Sequence, residues 1–318
     1  MRSLVYSEII SRLNKNKIKY SSLKSLASDA SNRQYFLICQ NSSLHVLMYD
    51  NGPKENISKF LDVTKIFSNF GLSVPDIISN YKHDGMLIIE NFGYNKYSQI
   101  LNKKNRGKLY KVAIDSLIHL HQFPADNTLK NYSKEDYLEE SFLFFDWYLK
   151  YKKKCLDNSI REEFKTLLLE HLKITDLLPR VYVHRDFHID NLFFLSGRNN
   201  FKQCGWIDYQ DALVGCPVYD VMSLLEDARL DVDQNITQYL INYYLNKSKN
   251  INLEIFLISF QVIAIQRHLK VLGIFARLFL RDKKEIYIRH FPRVLRMIRK
   301  NLANDRFKNL RNLLDRFL

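Results

Sequence analysis

Cysteine is scarce in this chain of 318 residues. Cys39, Cys155, Cys204 and Cys216 are scattered, with no Cys-x-x-Cys pair and no zinc-ligand spacing among them. That scatter excludes a disulfide scaffold and a thiolate metal centre, and it suits reduced thiols in a cytoplasm. No uncharged apolar run reaches 18 residues, so no membrane-spanning helix and no membrane partner is expected. The opening stretch MRSLVYSEIISRLNKNKIKY lacks an apolar core followed by a small-residue cleavage site, and it reads as an amphipathic helix. Internal repeats and low-complexity linkers are also absent. Acidic residues are in deficit, 34 against 48 Lys and Arg, which leaves a net charge of +14 and an isoelectric point near 9.4. The excess is spread along the chain beside Asn and Ile. Its local runs, LNKKNRGK (101–108) and KYKKK (150–154), read as solvated helix faces or loops. Such charge favours solubility and a general attraction to phosphates, and no specific nucleic-acid partner is expected from it.

What is present suits a folded core: hydrophobic residues are 46% and aromatic residues 13% of the chain. The first ninety residues read as short strands around one helix. RQYFLICQ (33–40) and LHVLMYD (44–50) flank an Asn-Ser-Ser hairpin signal. KENISKFLDVTKIFSNF (54–70) carries apolar residues at helical spacing up to Gly71, and VPDIISNYKHDGMLIIENFG (74–93) reads as two strands about an Asp84-Gly85 turn. Beyond residue 96 the periodicity is helical, at 110–123, 137–154, 159–172, 218–229, 236–246, 252–279 and 287–316. One β-like stretch, 181–212, interrupts it. The expectation is an α+β chain with a β-rich first domain at 1–91 and a larger helical domain at 92–318.

The interruption holds the chemistry. In VYVHRDFHIDNLFFL (181–195), His184, Asp186, His188, Asp190 and Asn191 lie between two apolar runs. Polar groups on a tight loop between buried strands need partners or a task. A further β-like segment ends at Ile207, with Asp208 the first charge after it. Phosphoryl transfer asks for such a set. A carboxylate such as Asp186 orients an attacking hydroxyl and accepts its proton. An amide oxygen, Asn191, and a carboxylate, Asp208, suit Mg2+, a hard ion that takes oxygen ligands. Asp220, in GCPVYDVMSLL (215–225), is read as tying the loop to the following helix through backbone N–H bonds.

The spacing His184-x-Asp186-x-x-x-x-Asn191, followed by GWIDYQ (205–210), resembles the catalytic loop and metal site of the protein-kinase-like phosphotransferases. Asp-Phe-Gly, a long activation segment and Ala-Pro-Glu are missing. The pattern is therefore similar to the aminoglycoside phosphotransferase and choline kinase superfamily, which phosphorylates small-molecule hydroxyls. SDASNRQYF (28–36), PKEN (53–56), FFDWYLK (144–150), DYQDALVGCPVYDVMSLLEDAR (208–229) and QRHLKVLGIFARLFLRDKKEIYIRHFPRV (266–294) resemble its anomeric N-acetylmuramate and N-acetylglucosamine kinase branch.

That resemblance implies a two-lobed protein-kinase-like fold, ATP with Mg2+, and an amino-sugar acceptor. It implies Asp186 as base with His184 shaping the loop, and Asn191 and Asp208 as metal ligands. Around ATP it implies Ser28, Ser31, Arg33 and Glu55 near the phosphates, with Ile89, Glu90 and Asn91 as the adenine hinge. Around the acceptor it implies His188, Asp146, Trp147, Arg267 and Lys270, the last two on one side of a helix with Gln266 and Arg277. Two departures stand out. The phosphate loop lacks the Gly-rich pattern, and Met48 occupies about the place of the usual strand lysine, for which Arg33 or Lys54 could substitute. Two rivals stay open: another small acceptor on the same scaffold, and a basic pseudokinase that binds nucleic acid or a protein.

Overall fold

The computed structural model describes residues 2–26, 33–155, 157–248 and 251–318. Its contacts divide the chain into two compact units: Met1–Gln99 with Phe193–Asp211, and Ile100–Leu192 with Ala212–Leu318. The division expected at 91/92 thus falls within the first unit. Segment 193–211, which the sequence reading gave to the second domain, packs with the first.

In the first unit, strands β1 (Ser22–Ser25), β2 (Arg33–Gln40), β3 (Ser43–Asp50), β4 (Ile77–Tyr81) and β5 (Met86–Ile89) form an antiparallel sheet in the order β1-β2-β3-β5-β4. The β2–β3 hairpin turns through Asn41 and Ser42, both at positive φ (48° and 64°). A two-residue loop of that hand matches the right-handed twist of the flanking strands. The β4–β5 turn ends on Gly85, at φ 73°. A Cβ there would lie 2.6 Å from the Asp50 carbonyl oxygen, so only glycine fits. Helix α1 (Arg2–Lys15) sets Ile9 and Leu13 against Phe36, Ile38, Leu47 and Ile88 of the sheet.

Helix α2 (Lys54–Asn69) buries Ile57, Phe60, Val63 and Phe67. Phe67 meets Trp206 edge-on with centroids 5.7 Å apart, and Phe60 stacks on Tyr209 at 5.4 Å. Those partners belong to 193–211, which explains why this segment joins the first unit. Its backbone is also stitched there: the Trp206 N–H donates to the Ser73 carbonyl at 2.8 Å, and the Ser73 hydroxyl donates to the Lys202 carbonyl at 2.6 Å.

The second unit is built on helices: α4 (Arg106–Leu120) after the short α3 (Tyr97–Ile100), α5 (Lys134–Leu143), α6 (Leu149–Tyr151), α7 (Asn158–Leu172), α8 (Val218–Leu225), α9 (Gln234–Lys247), α10 (Leu253–Leu280), α11 (Phe291–Leu302) and α12 (Lys308–Leu314). A π-helical turn, Phe144–Tyr148, joins α5 to α6. α5 begins at a capping box, Ser133 with Asp136, three residues earlier than apolar periodicity suggests. α10 runs through the core and packs on α5, the π turn, α8 and α11. By length and composition it could cross a membrane, with a mean hydropathy of 1.4 over 18 residues, but 72% of that window is buried in the fold. At Gly273 a Cβ would come within 2.3 Å of the Leu143 carbonyl oxygen, so glycine sets how closely α10 approaches the end of α5. The single helix expected at 287–316 is interrupted. Pro292 sits in the first turn of α11, and Asn304 caps a new turn by accepting the Arg306 N–H at 3.0 Å.

Candidate active site

Strand β6 (Val181–Val183) is wholly buried and pairs antiparallel with β9 (Leu213–Gly215). Its apolar residues bring the chain out of the core at His184. The loop that follows is fixed by backbone bonds. Arg185 takes a left-handed conformation, φ 74°, which is costly for a residue with a Cβ and needs outside support. Asp220, in the first turn of α8, supplies it by accepting the N–H groups of His184 at 2.6 Å and Arg185 at 3.0 Å. Asp220 and His184 are fully buried. Burial pushes the Asp220 carboxyl up to about 7, against the two N–H bonds and the charge of Arg267, which pull the other way.

Asp186 closes the loop on itself. Its N–H donates to His184 Nδ1 at 3.2 Å, while its carbonyl accepts the His188 N–H at 3.1 Å and Asn191 Nδ2 at 3.0 Å. Among the described residues no donor lies within hydrogen-bonding distance of the Asp186 carboxylate. Burial raises its pKa, but Lys270 and Arg267, then His184 and Arg185, outweigh that and hold it below the ordinary carboxylate value. Asp186 is therefore an ionised base with no internal partner. On the far side of the loop, Asp190 pairs with Arg229 at 2.7 Å, and Asp227 accepts the Ile189 N–H at 3.2 Å.

Asn191 spends its amide nitrogen on the Asp186 carbonyl, which leaves Oδ1 as the end offered outward. Asp208, in the first unit, is exposed and also left-handed, at φ 62°, with Oδ1 accepting Gln210 Nε2 at 2.9 Å. Tyr209 is anchored beside it through the Thr64 hydroxyl at 2.8 Å. The two prospective donors are hard oxygens, which fits Mg2+. Among the described residues no group of three His, Cys, Asp or Glu side chains gathers into a metal site.

The acceptor residues expected from the sequence divide in two. Arg267 and Lys270 act on Asp186 electrostatically from α10. Arg267 is 4% exposed, its Nε has no partner among the described residues, and its guanidinium lies 6.0 Å from the Tyr219 ring. Gln266 is buried and donates to the Tyr137 carbonyl at 2.9 Å, a packing role, while Arg277 lies by Arg281. Asp146 is exposed and pairs with Arg161 at 2.9 Å, and Trp147 lies on the same π turn under Lys150. His188 is buried beside Asn191, its Nε2 3.3 Å from the amide nitrogen.

Around the expected ATP site, Ser28 and Ser31 lie outside the described residues. Arg33 does not project as a free phosphate ligand. It is 7% exposed, bonded to Asp50 at 3.0 Å and to the Asn56 carbonyl at 3.3 Å. Met48 is fully buried in β3, opposite Tyr35 and Leu87. The lysine position of related folds is here a core position, and the buried strand ion pair is Arg33–Asp50. Lys54 and Glu55 are exposed in the first turn of α2. Ile89 is buried. Glu90 gives its N–H to the Asp76 carbonyl at 2.8 Å and its carboxylate to Arg198 at 2.6 Å, and Asn91 accepts the Gly93 N–H.

Sequence reasoning missed Glu140, Tyr132 and Tyr219. The Glu140 carboxylate on α5 pairs with Arg185, with Lys270 at 3.0 Å, and with the Tyr132 hydroxyl. Nothing local marks Glu140, since its partners come from distant segments.

An antiparallel sheet unit and a helical unit carrying an H-x-D-x-x-x-x-N loop define a protein-kinase-like phosphotransferase. The family model described as the phosphotransferase enzyme family matches residues 22–251, and the chain belongs to that family. It is 32% identical over 290 residues to an N-acetylmuramate/N-acetylglucosamine kinase of Pseudomonas aeruginosa, covering 87% of this chain and 82% of that protein. A protein of the same name from Neisseria meningitidis is 31% identical over 291 residues, covering 86% and 84%. Among solved structures, the choline kinase LicA of Streptococcus pneumoniae superposes with a TM-score of 0.65 at 11% identity, covering 93% of this chain and 99% of that one. An ADP-bound aminoglycoside phosphotransferase, APH(2'')-Ib, superposes with a TM-score of 0.62 at 20% identity, covering 92% and 98%. These last two likenesses speak to fold.

Proposed function

We propose that this protein transfers the γ-phosphoryl group of ATP to the anomeric hydroxyl of an N-acetylated amino sugar, N-acetylmuramate or N-acetylglucosamine, in the cytoplasm. The observation that carries the reading is Asp186, an ionised carboxylate with no internal donor on a loop fixed by Asp220, in a chain whose relatives bear that kinase name over most of its length. A carboxylate held below its ordinary pKa is a weak base. It matches an acceptor more acidic than a common alcohol, and the hemiacetal hydroxyl is one. The cations Lys270 and Arg267 beside Asp186 suit a neutral or anionic sugar and repel the cationic acceptors of choline and aminoglycoside kinases.

In this reading Asp186 orients the hydroxyl and accepts its proton. His184 and Asp220 hold Asp186 in place, and Lys270 and Arg267 face the acceptor, with His188 at its edge. Asn191 and Asp208 are assigned to Mg2+, which when bound would neutralise charge on the transferred phosphate. The hinge Ile89–Asn91 is assigned to adenine. Asp146 and Trp147 are assigned to the acceptor from the family resemblance alone.

ATP turnover with Mg2+ against N-acetylmuramate, N-acetylglucosamine, kanamycin and choline tests the assignment. Phosphorylation of an amino sugar, abolished in Asp186→Asn, is the expected result. Preference for kanamycin or choline would refute the acceptor class, and turnover unchanged in the variant would refute the base.

A further inference from the structure

Two cations sit beside a carboxylate that has no donor of its own, yet neither closes on it. Glu140 accounts for this. Its Oε1 receives both the Arg185 guanidinium and the Lys270 ammonium, the latter at 3.0 Å, and its Oε2 receives the Tyr132 hydroxyl. Tyr132 continues to the Tyr219 hydroxyl at 3.3 Å, which lies 3.4 Å from Lys270 Nζ, and the Arg185 guanidinium lies 4.8 Å from the centre of the Tyr132 ring. The side chains of Glu140, Arg185 and Lys270 are only 17%, 20% and 13% exposed, so little solvent screens them. Arg185 is also the strained residue immediately before Asp186. One carboxylate therefore fixes the side chain that leads into the base and neutralises the cation that acts on it most.

We propose that Glu140 is the positioning residue of the active site: it holds Arg185 and Lys270 away from the Asp186 carboxylate, which stays open to the acceptor hydroxyl. The inference rests on Asp186 acting as the base. Lysine has a long flexible stem and a compact charge, so with Glu140 neutralised its ammonium has one carboxylate left to seek, Asp186. The other charges around Asp186 are Arg267 from α10, His184 within the loop, Asp220 from α8 and Arg229. None of them is a partner of Glu140 that would replace it.

The test is a 13C-carboxyl NMR titration of Asp186, assigned by loss of its signal in Asp186→Asn, together with kcat and KM for Glu140→Gln, Glu140→Asp and Glu140→Gln/Lys270→Met. In Glu140→Gln the Asp186 pKa is expected to fall further by ~0.5 unit or more, because two cations lose their counter-charge. The acid limb of kcat moves to lower pH with it. kcat falls by about 10- to 100-fold, the range expected of a misplaced base, with the KM for ATP little changed. Glu140→Asp retains most of the rate, and Lys270→Met in the Gln background returns the Asp186 pKa towards native. An Asp186 pKa unmoved in Glu140→Gln, or a shift that Lys270→Met does not reverse, overturns the proposal. If Glu140→Gln does not fold, Lys270→Met alone is read: an Asp186 pKa that fails to rise overturns it. The titration needs no acceptor. The expected shifts without turnover of any amino sugar would sink the acceptor assignment and leave the Glu140 pairing standing.

Discussion

Replacing Asp220 with alanine removes the acceptor of two N–H groups at once, those of His184 at 2.6 Å and Arg185 at 3.0 Å. Both ends of the first bond are fully buried, so water cannot take over. An orphaned buried donor costs about 1–3 kcal/mol, which puts Asp220→Ala at about 2–6 kcal/mol. For a unit of this size each kcal/mol lowers the melting temperature by about 2–4 °C. Asp220→Asn keeps one carbonyl oxygen and should lose about half as much. The pH dependence has a definite sign. The folded pKa of about 7 lies above the ordinary aspartate value, so the native state holds a proton that the unfolded chain releases at lower pH. Asp220 therefore contributes this stability fully below the unfolded pKa, and the contribution is lost as pH rises to about 7. The Asp220→Asn variant has no such slope, so the native-minus-variant difference should narrow towards neutral pH. Urea unfolding of the native chain and both variants at several pH values measures all of this. A loss below ~1 kcal/mol in Asp220→Ala would refute the count of orphaned donors, since even one would cost that much.

Asp186→Asn should fold normally and lose about 10²- to 10⁴-fold in kcat, as expected for removal of a general base; circular dichroism with turnover checks both halves. Arg33→Met leaves Asp50 buried without its cation and should cost about 3–5 kcal/mol, while Arg33→Met/Asp50→Leu should recover much of that; denaturant midpoints report it. Gly273→Ala drives a methyl into the Leu143 backbone and should lower stability by about 1–3 kcal/mol, and a melting temperature equal to native would show that α10 can shift freely.

Much of the first unit was legible because its signals are local. The Asn41-Ser42 turn, the Asp84-Gly85 turn and the periodicity of α2 each act within a few residues. The helical run at 287–316 misled because an amphipathic pattern continues across Asn304 while the backbone does not. Segment 193–211 was given to the wrong neighbours because Trp206 and Tyr209 look like any buried aromatics. Only packing shows that they sit against Phe67 and Phe60. The catalytic loop was legible because His184, Asp186 and Asn191 must lie close in sequence to share one tight turn.

By itself, then, the sequence determined the family and its chemistry, since a motif eight residues long carries base and amide in a spacing that few other tasks require. Tertiary structure decided the electrostatics of the base. Lys270 and Arg267 from α10, Glu140 from α5 and Asp220 from α8 reach the loop across long stretches of chain, where no periodicity links them. It also decided that Met48 is core and that Arg33 belongs to Asp50. The physical reason is the same in each case: a charge acts through space on whatever the fold brings near it, and burial, which sets how strongly it acts, is a property of the packed chain.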